Sequence, residues 1–171
     1  HPGRVETASI VRGPWEVRVH RVTAPAGCTV RDGGYSLADT HPPTIHSEHD
    51  WALVTRPDGL TSAMIALHGY PAAGVARAAA ANAYGPCSAT PYLIAPPHPG
   101  GSTVHVSLVV ITGDRVDPAA LRESVRTTVG DDRVTVAFPD GERADVTLGS
   151  HPAYARYPPT PATSSAGRSY R

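Results

Sequence analysis

The stretch Gly13–Ala38, GPWEVRVHRVTAPAGCTVRDGGYSLA, decides the fold. Apolar side chains alternate at Trp15, Val17 and Val19, with Glu16, Arg18 and His20 between them. Successive side chains of a strand point to opposite faces, so this is the pattern of a half-buried β-strand. The phase then slips. Arg21 stands where an apolar residue is due and Val22 carries the pattern on, which predicts a bulge near His20 and Arg21. Ala24-Pro25-Ala26-Gly27 reads as a turn and Cys28–Ala38 as the returning strand. The expected product is an antiparallel hairpin with one apolar and one charged face.

Outward from this hairpin the chain offers more of the same. Arg4–Arg12 reads as a preceding strand, with Val5, Ile10 and Val11 as its apolar residues. Trp51–Thr55 and Leu60–His68 are strands joined by the turn Arg56-Pro57-Asp58-Gly59. Ala63–Leu67 is apolar on both faces, which predicts a central or doubly covered strand. The alanine run in Val75–Tyr84 favours helix by propensity, but its neighbours are strands and it ends at Gly85-Pro86, so a strand is expected. Pro91–Ala95 is a short strand. Thr103–Thr112 is a strong one, alternating at Val104, Val106 and Leu108 before turning apolar on both faces.

Asp117–Val129 carries the signals of a helix. Asp117 suits an N-cap, Pro118 the first turn, and Leu121, Val125 and Val129 share a stripe that Gly130 would end. A last hairpin, Arg133–Phe138 and Glu142–Leu148, turns at Pro139-Asp140-Gly141. Roughly nine or ten short strands exceed what one twisted sheet carries comfortably. The expected fold is mainly β: an antiparallel two-sheet β-sandwich with one short helix, over residues 4–149. Residues 150–171, rich in Pro, Ser and Thr, are expected to be a disordered tail.

Composition narrows the function classes. The 171 residues carry a formal net charge of zero, so nothing favours nucleic acid or an anionic membrane as partner. All 15 basic residues are arginine, a bias that, with abundant Ala, Gly and Pro, matches GC-rich coding. Cys28 and Cys87 are too few for a disulfide framework or zinc knuckle and read as two small buried thiols. No apolar run approaches the ~18 residues of a membrane span, and no signal peptide is visible, so a cytoplasmic location is expected. No Gly-rich phosphate loop precedes the helix, and no cofactor is expected.

Three constellations could carry chemistry. Ala66-Leu67-His68-Gly69-Tyr70-Pro71 has the strand-end His-Gly form of an oxyanion-holding element, but the Gly-x-Ser-x-Gly elbow that a hydrolase would need is missing. His41, His46, Glu48, His49 and Asp50 cluster locally, and His46, Glu48 and Asp50 would share a face of an extended segment. They lack a diagnostic metal-ligand spacing, and a solvated polar loop is the plain reading; no metal site is expected. Arg18 and His20 lie on the polar face of the first hairpin, where Arg31 would join them from the returning strand. Guanidinium forks suit carboxylates, uronic acids among them, although polar-out alternation is also what the solvated face of a sandwich shows. Arg77, Asn82 and Tyr84 form a weaker set. Together Arg18, His20, Arg77, Asn82 and Tyr84 are the candidate ligand contacts; no residue is assigned as catalytic.

The order of elements carries a resemblance. GPWEVRVHRV, VRDGGYSLAD, HGYPAAGVARAAAANAYGP, TPYLIAP and PGGSTVHVSLVVITGD, closed by helix and hairpin, resemble the C-terminal β-sandwich of an uncharacterised, largely actinobacterial protein family. In that family an (α/α) toroid precedes the sandwich, an architecture similar to heparinase-like polysaccharide lyases. The resemblance runs from Val5 to Leu148, with Trp15–Arg21 and Ala81–Tyr84 as its most specific pieces. It implies a C-terminal, non-catalytic module of a carbohydrate-active protein, lacking most of the active site. Its expected partner is a helical toroid domain, in cis or as a separate chain, and carbohydrate is a further candidate partner. The rival is a small stand-alone lyase or hydrolase using Tyr70, Tyr84 or His46 and His49. A free-standing carbohydrate-binding module is a third reading, with Trp51 as the remaining candidate for an aromatic platform.

Overall fold

The computed structural model describes residues 3–33, 44–48, 50–77, 81–82, 85–86, 89–98, 100–149 and 155–156. Strand β1 (Arg4–Arg12) turns at Gly13-Pro14 into β2 (Trp15–Ala24), followed by β3 (Cys28–Gly33), β4 (Thr44–Ser47), β5 (Trp51–Thr55) and β6 (Thr61–His68). Next come β7 (Ala72–Arg77), β8 (Ala81–Asn82), β9 (Gly85–Pro86), β10 (Ala89–His98) and β11 (Gly101–Thr112). Helix α1 (Pro118–Ser124) precedes β12 (Arg126–Val129), β13 (Arg133–Ala137), β14 (Arg143–Thr147) and β15 (Ala155–Arg156). The fold is mainly β, all pairings are antiparallel, and α1 is the one helix among the described residues.

A six-stranded sheet in the order β1-β2-β11-β6-β5-β4 forms the centre. One face packs on the sheet β12-β13-β14-β15 and on α1. Val17, Val19, Ile65, Val106 and Leu108 meet Val134, Val136 and Val146 there in the main core. The opposite face is covered in part by the sheet β3-β10-β7, through Met64, Ala66 and Val109 against Leu93 and Ala95. The face-to-face sandwich expected from the sequence is therefore present, with a smaller third layer behind it. Strand β6 lies between β11 and β5 and is buried from Thr61 to Leu67, as its two apolar faces require.

Several local expectations need correction. The hairpin of Trp15–Val22 with Cys28–Ala38 does not form. β2 pairs with β1 from Trp15 to Thr23 and with β11 from Trp15 to Ala24, which fills both of its edges, and β3 pairs with β10 instead. No bulge interrupts β2 at His20 or Arg21, because both registers run straight through. Val22 is buried on the face opposite Val17 and Val19, so the slip in phase marks a change of covered face. The register shift in this sheet falls on β6, where Val106 pairs with His68 but Ser107 with Ala66.

The helix is shorter than Asp117–Val129. Asp117 does cap it, accepting the Ala120 N–H at 3.0 Å, but the backbone is extended at Val125. The β-branched run Thr127-Thr128-Val129 then pairs with β13 as a strand, and Gly130 closes the turn between them. Cys28 is half exposed and not a buried thiol; Cys87 lies outside the described residues. Of the single strand expected over Val75–Tyr84, Val75–Arg77 ends β7 and Ala81–Asn82 forms β8 in a separate sheet, while residues 78–80 and 83–84 lie outside the described residues. Of the expected tail, Ala155–Arg156 forms β15 and the remainder lies outside the described residues.

Candidate functional site

The half of the central sheet that the third layer leaves open carries the polar residues. β10 lies over β4, β5, β6 and β11, and β7 over β4 and β5. On that same face, β1 and β2 show their polar phase. Register places Val11, Glu16 and Val109 in one cross-strand row, Ser9, Arg18 and Ser107 in the next, and Thr7, His20 and His105 in the third. Directly opposed residues in such rows lie within side-chain reach of one another. Thr7, Ser9 and Val11 are exposed, Glu16, Arg18 and His20 half buried, and His105, Ser107 and Val109 buried. The surface is a shelf that descends from an open edge into the protein.

Each polar group on the shelf has a defined environment. Arg18 forks onto Glu16, its Nε 2.9 Å from one carboxylate oxygen and a terminal nitrogen 3.1 Å from the other. Two residues apart on one strand share a face, so β2 itself builds this pair. The Nδ1 of His105 lies 3.0 Å from the Gly69 carbonyl. A carbonyl only accepts, so Nδ1 carries the proton and donates. The His105 ring also packs on Tyr70, centroids 4.9 Å apart and tilted by 35°. Beside them, the buried Oγ of Ser107 finds no hydrogen-bond partner among the described residues.

The structure brings together Arg18 and His20 of the candidate set. Arg31, expected beside them, belongs to β3 in the other sheet. Arg77 stands opposite Ala89 in the β7–β10 pair and Asn82 opposite Gly85 in the β8–β9 pair, each in a sheet other than the central one; Tyr84 lies outside the described residues. His105 and Ser107 were missed, although the signal was present: they are the polar residues between Val104, Val106 and Leu108. His46 is exposed on the edge strand β4, and His41 and His49 lie outside the described residues. Asp50 is held by Arg122 of α1 at 3.1 Å. No three His, Cys, Asp or Glu among the described residues gather closely enough to hold a metal ion. Trp51 is half buried and packs on the main core, which removes it as an aromatic platform. No helix among the described residues is long and apolar enough to cross a membrane.

A second concave surface lies at one end of the sandwich. A groove of about 490 Å³ runs between the β1–β2 turn, Arg12 to Trp15, and the β13–β14 turn, Phe138 to Asp140. Trp15 and Phe138 meet there edge to face, centroids 5.6 Å apart. Arg12 is paired with Glu142 at the same end.

No protein-family model matches the chain, and comparison with curated protein sequences finds no match. Among solved structures, the fold is similar to heparan sulfate lyase HepC from Pedobacter heparinus, with a TM-score of 0.53 and 13% identity. A mutant of the same lyase aligns with a TM-score of 0.51 at the same identity. In both, 81% of this chain is covered but only 23% of the lyase. The chain thus spans less than a quarter of the protein whose fold it shares.

Proposed function

We propose that this chain is a non-catalytic β-sandwich module of a polysaccharide-lyase-like protein, which packs against or completes a helical catalytic domain outside the chain. The observation that carries this reading is the half-covered central sheet. A sheet face left open on β1 exposes Val5 by 60% and Val11 by 69%, where a self-sufficient sandwich would bury or replace them. The partial overlap with a much longer lyase supports the same reading. In the joined protein, Arg18 and His20 would lie at the boundary between module and helical domain and could meet an acidic sugar there.

The rival, a stand-alone lyase or hydrolase, rests on Tyr70, on Tyr84 or on His46 and His49, of which Tyr70 is buried, as is the neighbouring His105. The exposures of Tyr70 and His105, 8% and 1%, weigh against it. The test is an elimination assay on heparan sulfate and other acidic polysaccharides, following ultraviolet absorbance of unsaturated product. The chain alone should show no turnover, and the product of the complete reading frame should show it. Turnover by the isolated chain, abolished in Tyr70→Phe, would establish the rival.

A further inference from the structure

Among the described residues, the central sheet ends in two unlike edges. Strand β4, at one edge, has four residues, and so short an edge offers little backbone to pair with. Strand β1, at the other, has nine. Folded proteins guard a long edge with proline, a bulge or free charged side chains. β1 reads RVETASIVR and holds no proline, and its register with β2 runs unbroken from Arg4 to Arg12. Its charged side chains are tied into ion pairs, Arg4 with Glu6 and Arg12 with Glu142. The outer N–H and C=O groups of β1 form a row that another extended strand can complete.

The side chains of β1 specify which strand fits. Val5, Thr7, Ser9 and Val11 are exposed on the open face, and Ala8 and Ile10 are buried on the core face. A second copy adds antiparallel about a two-fold axis perpendicular to the sheet, so like faces of the two copies stay on one side. The register that uses the whole strand puts this axis at the middle residue, Ala8. Val5 then lies opposite Val11 of the second copy, and Thr7 opposite its Ser9, each pair repeated across the axis. Valine pairs and Thr–Ser pairs are both favourable cross-strand neighbours. On the core face Glu6 lies diagonal to Arg12 of the second copy, within reach of a long side chain. Arg4 stands opposite that same Arg12, and Glu6 and Glu142 neutralise the meeting of like charges. Sliding the copies by two residues in either sense separates the valines.

We propose that β1 is a self-pairing edge, through which two copies of this chain join their central sheets antiparallel with Val5 on Val11 at both ends. Cross-strand pairing covers one flank of each valine and leaves its outer surface to the proposed helical domain, so the two readings stand or fall separately. One strand pair is a small interface, so the dimer should be weak, with a Kd on the order of 100 µM. The chain is then monomeric at the low micromolar concentrations of an exchange experiment.

The test is sedimentation equilibrium of the chain from about 10 µM to about 1 mM, which spans that Kd. The parent chain should pass from monomer to dimer across the range. Val5→Lys/Val11→Lys sets like charges opposite each other at both ends and should raise Kd at least about tenfold. Val5→Lys/Val11→Glu sets opposite charges there and should hold Kd within about threefold of the parent. Both positions are exposed, so circular dichroism should show the fold unchanged in each variant. A parent chain that stays monomeric throughout overturns the proposal. A dimer that Val5→Lys/Val11→Lys leaves intact also overturns it, because the copies then associate elsewhere. A dimer that both double variants weaken alike overturns the register, and with it the pairing of Val5 on Val11.

Discussion

At the scale of single residues, Gly69 is the most constrained position on the polar shelf. Its φ of +79° is one that L side chains rarely adopt, and an added Cβ would lie 2.6 Å from the Val104 carbonyl oxygen and 2.7 Å from His105 Nδ1. Neither neighbour can yield readily: one is backbone in a central strand, and the other is a buried ring held by the Gly69 carbonyl itself. Gly69→Ala should therefore cost about 3 kcal/mol or more in a urea unfolding experiment. It should also disturb the ring contact between His105 and Tyr70, visible as shifted His105 resonances.

Asp145 makes a prediction about pH. The Thr135 hydroxyl, donating at 2.6 Å, and Arg133, at 2.9 Å, hold its carboxyl below the ordinary 3.8. A depressed carboxylate stabilises the fold at pH values above the unfolded pKa, and that stabilisation is lost as pH falls through the folded value. Arg133 is 61% exposed, so solvent screens its share. Asp145→Asn should lower stability by about 1 kcal/mol at neutral pH. The gap to the parent should shrink below about pH 4 and close at lower pH, as denaturant melts across that range would register.

At the scale of elements, the sequence is most informative where a pattern is local. The last hairpin is seen as expected, with Val134 opposite Val146 and Val136 opposite Ala144, because its turn and both strands lie within one short stretch. The double-sided burial of β6 was legible for the same reason. Ile65, fully buried there, should cost about 2–5 kcal/mol when truncated to Ala. Asp117→Ala should cost about 1 kcal/mol, measured by thermal melting, since it removes the acceptor for the Ala120 N–H.

Partner choice was not legible. The turn Ala24–Gly27 has hairpin chemistry, yet β2 takes β1 and β11 as neighbours. Turn residues act over four positions, whereas the β2–β11 register is decided by which faces can be covered across the whole chain. The candidate site was half visible on this account. Alternation within β2 exposed Arg18 and His20 as one polar face. Their rows with Ser107 and His105 depend on a pairing between strands far apart in sequence, which no local pattern encodes.

At the scale of the molecule, the described residues cover one face of the central sheet with the β12–β15 sheet and α1, and the other in part with the β3-β10-β7 sheet. The covered part closes on Leu93, Ala95 and Tyr70, while the β1–β2 part presents Val5, Val11 and the Arg18–Glu16 pair. An open edge strand of this length is a template for further association, which natural folds normally cover or charge. Val5→Glu and Val11→Glu should each change the stability of the isolated chain by no more than about 0.5 kcal/mol, because neither side chain is buried. On the function proposed above, the same substitutions should weaken packing against the proposed helical domain, read as a lower melting temperature of the joined protein.

The most direct measurement is amide hydrogen exchange along β1 and β2, on this chain alone and on the product of its complete reading frame. The account predicts that β1 exchanges rapidly in the isolated chain and becomes strongly protected beside a helical domain in the complete protein, while β6 and β11 are protected in both. Equal exchange of β1 in the two, or a reading frame that encodes no helical domain, would contradict it.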